Sequence, residues 1–177
     1  MKVVSTLLFI LLFSTSLFAQ YDIKGKINGL SKSEVYLAHY FGYNQQVIKD
    51  TVLANEAGEF QFKGTETLPK GLYLISFLKS KYIDVVIEDP NFSFSLDTTD
   101  ILKSISFENS AENTAFYGFQ RKMNELYTLL NQPSLSPDAK KNVQAEVKQF
   151  QQEWKRANAS LFVSKLIESS FDPEIPV

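Results

Sequence analysis

Apolar and polar residues alternate with a period of two through a series of short runs between Tyr21 and Phe107. Tyr21, Ile23, Gly25 and Ile27 fall on one side of the first run and Asp22, Lys24, Lys26 and Asn28 on the other, until Asn28-Gly29 breaks it. Val35, Leu37 and His39 mark the next run, followed by Val47 to Leu53 and by Glu59 to Lys63 with Phe60 and Phe62 on one face. Leu72 to Leu78, Tyr82 to Glu88, and Phe92, Phe94 and Leu96 complete the series. Successive side chains of a strand point to opposite faces, so each run describes a half-buried strand. Closely spaced runs of this kind predict an antiparallel β-sandwich of about eight strands. Gly58 supplies the positive φ of a tight turn, and Leu68-Pro69-Lys70-Gly71 forms a corner because proline presets φ and lacks a donor. The short breaks at Lys79-Ser80 and Asp89-Pro90-Asn91 predict that the last three strands form an antiparallel meander.

After Phe107 the apolar period lengthens to that of a helix. Phe116, Phe119, Met123, Leu126 and Leu130 form one stripe, and Val143, Val147, Phe150, Trp154, Ala157 and Leu161 form a second. Asn109-Ser110-Ala111-Glu112 has the form of a capping box, with Asn109 as the cap and Glu112 reaching back to it. Ser136-Pro137-Asp138 starts the second helix, which is expected to run to about Ser170, ahead of Asp172-Pro173. Two apolar stripes joined by a short loop predict an antiparallel helical hairpin. The predicted organisation is a leader over 1–19, a sandwich over 20–107, a hairpin over 108–171 and a tail over 172–177 that reads as a linker cut short.

Asp50-Thr51-Val52, then Gly58-Glu59-Phe60-Gln61-Phe62-Lys63-Gly64, then Leu68-Pro69-Lys70-Gly71-Leu72-Tyr73 resemble an N-terminal domain of unknown function from exported bacterial proteins. The resemblance covers the stretch from Tyr21 to Phe107, and Ser110 to Phe116 and Phe171 to Pro176 are similar to the helical segment that follows that domain. Family members of this type carry a C-terminal thioredoxin-like domain of the thiol-disulfide interchange kind. The resemblance therefore implies an accessory region whose partner is a downstream thioredoxin-like domain.

Composition narrows the chemistry. A chain of 177 residues with 44% hydrophobic and 14% aromatic side chains can build one sizeable core or two small ones. Cysteine is absent, so no thiolate is available for disulfide exchange, for a lipid anchor or for a disulfide framework. The formal net charge is -2, and the lysines are scattered among acids, which gives no basic face for nucleic acid. Lys2, the apolar run Leu7 to Phe13 and the close at Leu17-Phe18-Ala19 before Gln20 read as a secretory signal cleaved between Ala19 and Gln20. An uncleaved signal is the alternative and the one route to membrane attachment. Either way the remainder is expected to be exported to the periplasm or cell envelope.

No hydrolase, phosphate-loop or zinc signature occurs, so no catalytic residue, metal site or cofactor is expected. The single His39 cannot build a multi-histidine site and reads as a strand-end side chain. Asp84 and Glu88 share a strand face about 13 Å apart, and Asp89 points away, so they do not converge. The aromatic loop containing Tyr40, Phe41, Tyr43 and Asn44 is the candidate binding element, since flat rings beside polar tips suit sugars or peptides. Asp50-Thr51-Val52 and Asp97-Thr98-Thr99 are similar to a bacterial O-glycan acceptor, with Thr98, in a loop, the better candidate and Thr51, in a strand, the other. Two functions remain open: a non-catalytic exported scaffold that positions a redox domain or dimerises through its hairpin, and a free-standing glycan- or peptide-binding sandwich.

Overall fold

A computed structural model describes residues 19–41 and 45–169, with Phe41 described in its backbone alone. Eight strands form in chain order: β1 (Tyr21–Asn28), β2 (Glu34–Phe41), β3 (Gln45–Leu53), β4 (Glu59–Gly64), β5 (Gly71–Phe77), β6 (Lys81–Ile87), β7 (Asn91–Asp97) and β8 (Ser106–Glu108). One helical turn, α1 (Ile101–Ser104), precedes β8, and α2 (Ala111–Leu130), α3 (Pro137–Ala157) and α4 (Phe162–Glu168) follow it. The strands make two sheets, ordered β4-β1-β7-β8 and β3-β2-β5-β6. Their inner faces share a core that includes Ile23, Phe62 and Leu96 from the first sheet and Leu37, Ile75 and Val85 from the second. The alternation read from the sequence is what builds this sandwich.

Gly58 has φ of 75°, and a Cβ there would collide with the Ile27 carbonyl oxygen, so the turn before β4 requires glycine. Gly25 sits against the Phe60 ring, which fills the inward space a side chain would need.

Three details differ from the sequence reading. The last strands are not a meander: β7 leaves β6 and pairs in parallel with β1, from Asp22↔Asn91 to Asn28↔Asp97. The Asp89-Pro90-Asn91 break turns the chain across to the other sheet. Asp89 Oδ1 accepts the Asn91 amide at 3.0 Å, and the Pro90 carbonyl accepts the Asp22 amide at 3.0 Å. Second, α2 is capped by Ser110, whose side chain accepts from the Asn113 amide, while Asn109 takes a φ of 58°. Glu112 does not reach back; its carboxylate accepts the amides of Phe162 and Val163 at 2.9 and 2.7 Å and so caps α4. Third, the second long helix is broken at Asn158, whose side-chain amide donates to the Trp154 carbonyl at 2.8 Å. The chain re-enters as α4.

The two long helices do form an antiparallel hairpin. Phe119 meets Phe150 and Trp154 with ring centroids 5.6 and 5.0 Å apart, and Lys122 pairs with Glu146 at 3.0 Å nearer the loop. Trp154 is buried, as its place in the stripe predicts.

Helix α2 also seals the sandwich. Strand β6 is an outer strand of the second sheet, and alternate residues of such a strand turn their N–H and C=O groups outward. Asn113, fully buried, accepts the Val86 amide at 2.7 Å through Oδ1 and donates to the Val86 carbonyl at 2.9 Å through Nδ2. One turn on, the Tyr117 hydroxyl donates to the Asp84 carbonyl at 2.9 Å. A further turn on, Arg121 Nη1 donates to the carbonyls of Ile105 and Leu102 at 3.2 and 3.4 Å. The spacing of four places all three side chains on one helix face. The Tyr117 ring stacks on Phe107 of β8, so α2 spans from one sheet to the other.

Replacing Asn113 by Leu preserves bulk but leaves the Val86 amide and carbonyl unpaired in a buried site. A loss of about 2–5 kcal/mol is expected, read as a lower urea midpoint with faster exchange at the Val86 amide; an unchanged midpoint would show that the seal contributes nothing. Glu112→Ala is expected to cost about 1 kcal/mol and to raise amide exchange at Phe162 and Val163 while β6 stays protected.

Candidate functional site

The outer face of the second sheet is built from those positions of β2, β5 and β6 that do not enter the core. Strand register aligns Thr51, Tyr36, Ser76 and Tyr82 in one row across all four strands. The neighbouring row is Ile48, Ala38, Leu74 and Asp84. The Tyr40 hydroxyl donates to Asp84 Oδ1 at 2.9 Å, and since β5 lies between β2 and β6, the ring is laid over β5. The Tyr36 hydroxyl donates to Glu34, two residues away on the same strand. Tyr82 is 55% exposed. Val86 and Leu72, at the far end of this face, pack against Phe119, Met123 and Trp154, so the helices cover that end and leave the tyrosine row open.

Burial pushes the Asp84 carboxyl above its usual range, and the Tyr40 hydroxyl bond pulls the other way. Burial, then the Asp84 bond, pushes the Tyr40 hydroxyl strongly up. Burial first and the Asp84 charge second do the same to Tyr117. Neither tyrosine can act as an acid or base near neutral pH; both are fixed donors.

Two hollows lie elsewhere. One, of about 520 Å³, is on the outer face of the first sheet, lined by Lys24, Lys26, Glu59, Gln61, Ser93, Ser95, Ser106 and Glu108 among others. Several of its polar groups pair with one another: Lys26 with Glu59 at 3.4 Å, Ser93 with Glu108 at 3.0 Å, and Ser95 with Ser106 at 3.0 Å. The Asn55 amide bond first, and Lys26 second, hold the Glu59 carboxyl below its usual range. A general acid requires the opposite shift. The other hollow, of about 680 Å³, lies between the start of α2 and the turn at Asn158 to Leu161. Among the described residues no group of His, Asp and Glu side chains is arranged to hold a metal ion.

Of the loop proposed for binding, Tyr40 is the member whose side chain is described, and its hydroxyl is committed to Asp84. Phe41 ends β2, and Tyr43 and Asn44 lie outside the described residues. His39 is half-buried, tilted against the Tyr73 ring at 4.9 Å. Asp84 and Glu88 do not meet; Glu88 pairs with Lys70. Exposure at the two threonines runs opposite to the loop-against-strand argument. Thr51 is exposed on β3, beside an Asp50 held by the Tyr21 hydroxyl at 2.9 Å, whereas Thr98 is half-buried against Gly29. The predicted leader lies outside the described residues up to 18; Gln20, just past the expected cleavage point, donates its amide to the Gly64 carbonyl at 2.7 Å. No helix among the described residues is long and apolar enough to cross a membrane.

Sequence reasoning missed Tyr36, Tyr82 and Asp84 as a group. Tyr36 and Tyr82 lie at outward positions of their runs, but only the order of strands makes them neighbours.

A family match over residues 21–116 decides the affiliation. The chain belongs to the DUF4369 family, a domain of unknown function. The match spans just over half of the chain and ends within α2, so the family unit holds Asn113 and its seal. Comparison with curated proteins gives no match. Among solved structures the chain is similar to (S)-allantoin synthase, with 14% identity over 52% of this chain and 44% of that one. The TM-score of 0.38 is too low to carry an argument about fold or activity, and the chain spans less than half of that protein.

Asp84 gives a pH test. Its folded-state pKa is raised, so its contribution to stability is fully present below the unfolded pKa and is lost as pH rises through the folded one. Asp84→Asn keeps an acceptor for Tyr40 and removes the charge. The variant is expected to gain stability relative to the parent as pH climbs out of the carboxylate range, measured by urea midpoints from about pH 3 to 7; a difference that does not vary with pH would contradict this.

Proposed function

We propose that this chain is an exported, non-catalytic accessory region that holds a thioredoxin-like thiol-disulfide domain in position. The observation that carries the reading is the docking of α2 onto the sandwich through Asn113, Tyr117 and Arg121, which makes a sandwich and a hairpin one continuous body. Such a body is a spacer with a defined direction. The absence of cysteine assigns any thiol chemistry to a partner domain rather than to this chain. Export is supported by the apolar run after Lys2 and by the position of Ala19 and Gln20 immediately ahead of β1.

Dimerisation through the hairpin has less support than positioning of a partner domain. The apolar stripes of α2 and α3 face each other at Phe119, Phe150 and Trp154, and Tyr127 is the large apolar residue of the hairpin left half-exposed among the described residues.

Two measurements test the reading separately. N-terminal sequencing of the protein from the periplasm is expected to begin at Gln20, and recovery of the intact leader from the cytoplasm would remove export. The natural coding frame past Val177 is expected to encode a Cys-x-x-Cys thioredoxin-like domain; a natural stop at that point would remove the redox role and leave the architecture standing.

A further inference from the structure

The open end of the second sheet's outer face combines three features that a solvated strand surface does not need. Tyr36 and Tyr82 flank Ser76 in one row, their backbones two strand spacings apart, about 9.6 Å. The Tyr40 ring is held by its hydroxyl bond to Asp84, and the Tyr36 hydroxyl donates to Glu34, two residues away on the same strand. No paired position in these rows is a lysine or arginine; Asp84 lies in the second row, Glu34 stands opposite Leu53 beyond the first, and Lys49 occupies the bulge of β3 between the rows.

We infer that this face is a carbohydrate platform: the rings of Tyr36 and Tyr82 take the C–H faces of an extended, uncharged oligosaccharide, while Glu34, Asp84 and Ser76 accept its hydroxyls. The charge pattern selects this occupant. A polyanion would meet two carboxylates against the single lysine of the β3 bulge, Lys49, whereas a neutral sugar brings a hydroxyl donor to each spare lone pair. An extended peptide would instead be held by backbone pairing along β3. That strand carries Lys49 at its centre and pairs with β2 through a register shift at Leu37/Ala38, two devices that discourage strand addition. The sugar lies across the sheet, on the tyrosine row, rather than along its edge.

Isothermal titration of the full chain with cellohexaose, xylohexaose, laminarihexaose and mannohexaose, with hexagalacturonate as the charged control, tests the inference. At least one neutral sugar is expected to bind saturably. Tyr82→Ala and Tyr36→Ala should each weaken that binding about tenfold or more, and Tyr127→Ala on the hairpin should leave it unchanged. Tyr82 makes no hydrogen bond across the sheet and is largely exposed, so its variant remains informative even if Tyr36→Ala disturbs the fold. The inference is overturned by no saturable binding of any neutral sugar, by a preference for hexagalacturonate, or by undiminished binding in the Tyr36→Ala/Tyr82→Ala double variant. Light scattering that shows a dimer dissociated by the same double variant would also overturn it, assigning the face to a second copy of the chain.

Discussion

The backbone N–H and C=O of one residue, Val86, govern how this molecule is closed. The residue lies on the outer strand of a sheet yet is buried, and buried backbone groups must be paired. The Asn113 side-chain amide presents one acceptor and one donor at the spacing of a neighbouring strand, so a helix residue takes the place of a ninth strand. The register of α2 on the sandwich follows from that pair. Tyr117 and Arg121 then fall, turn by turn, onto the Asp84 carbonyl and the carbonyls beside α1. The opposite side of the same helix is left to collect Trp154, Phe150 and α4.

The same seal shapes the outer face of the second sheet. Because α2 takes up the Val86 amide and carbonyl and the Asp84 carbonyl of β6, it obstructs strand addition along that part of the edge. Tyr40 is drawn into this arrangement. It reaches across β5 to the residue whose carbonyl Tyr117 also holds, so Asp84 joins the helix on one side to the tyrosine face on the other. A ring that composition alone suggests as a free binding group is thereby a fixed part of the wall.

Much of this was legible in the sequence. Period-two runs mark the strands because one face of each meets a core, and the two stripes mark the hairpin for the corresponding reason at period 3.6. Pairing order was not legible. A three-residue break such as Asp89-Pro90-Asn91 serves a hairpin or a crossing between sheets equally well, and the choice depends on which sheet has an open position beside it. Nor could the helix break at Asn158 be read, since Ala157 and Leu161 continue the stripe and neither Gly nor Pro interrupts it. Asn113 carries no signal of its own role: a polar residue in a first helical turn is ordinary, and its partner is 27 positions away. The tyrosine row is hidden likewise, being a property of four strands brought side by side.

Glu112 has a geometric consequence for whatever the chain carries beyond α4. Its two carboxylate oxygens grip the leading amides of that short helix from the first turn of α2, one residue before the asparagine that grips the sheet. The sandwich edge and the last helix are thus clamped by adjacent side chains, and the heading at which the polypeptide departs is set at the sandwich rather than by the length or stiffness of the long hairpin in between.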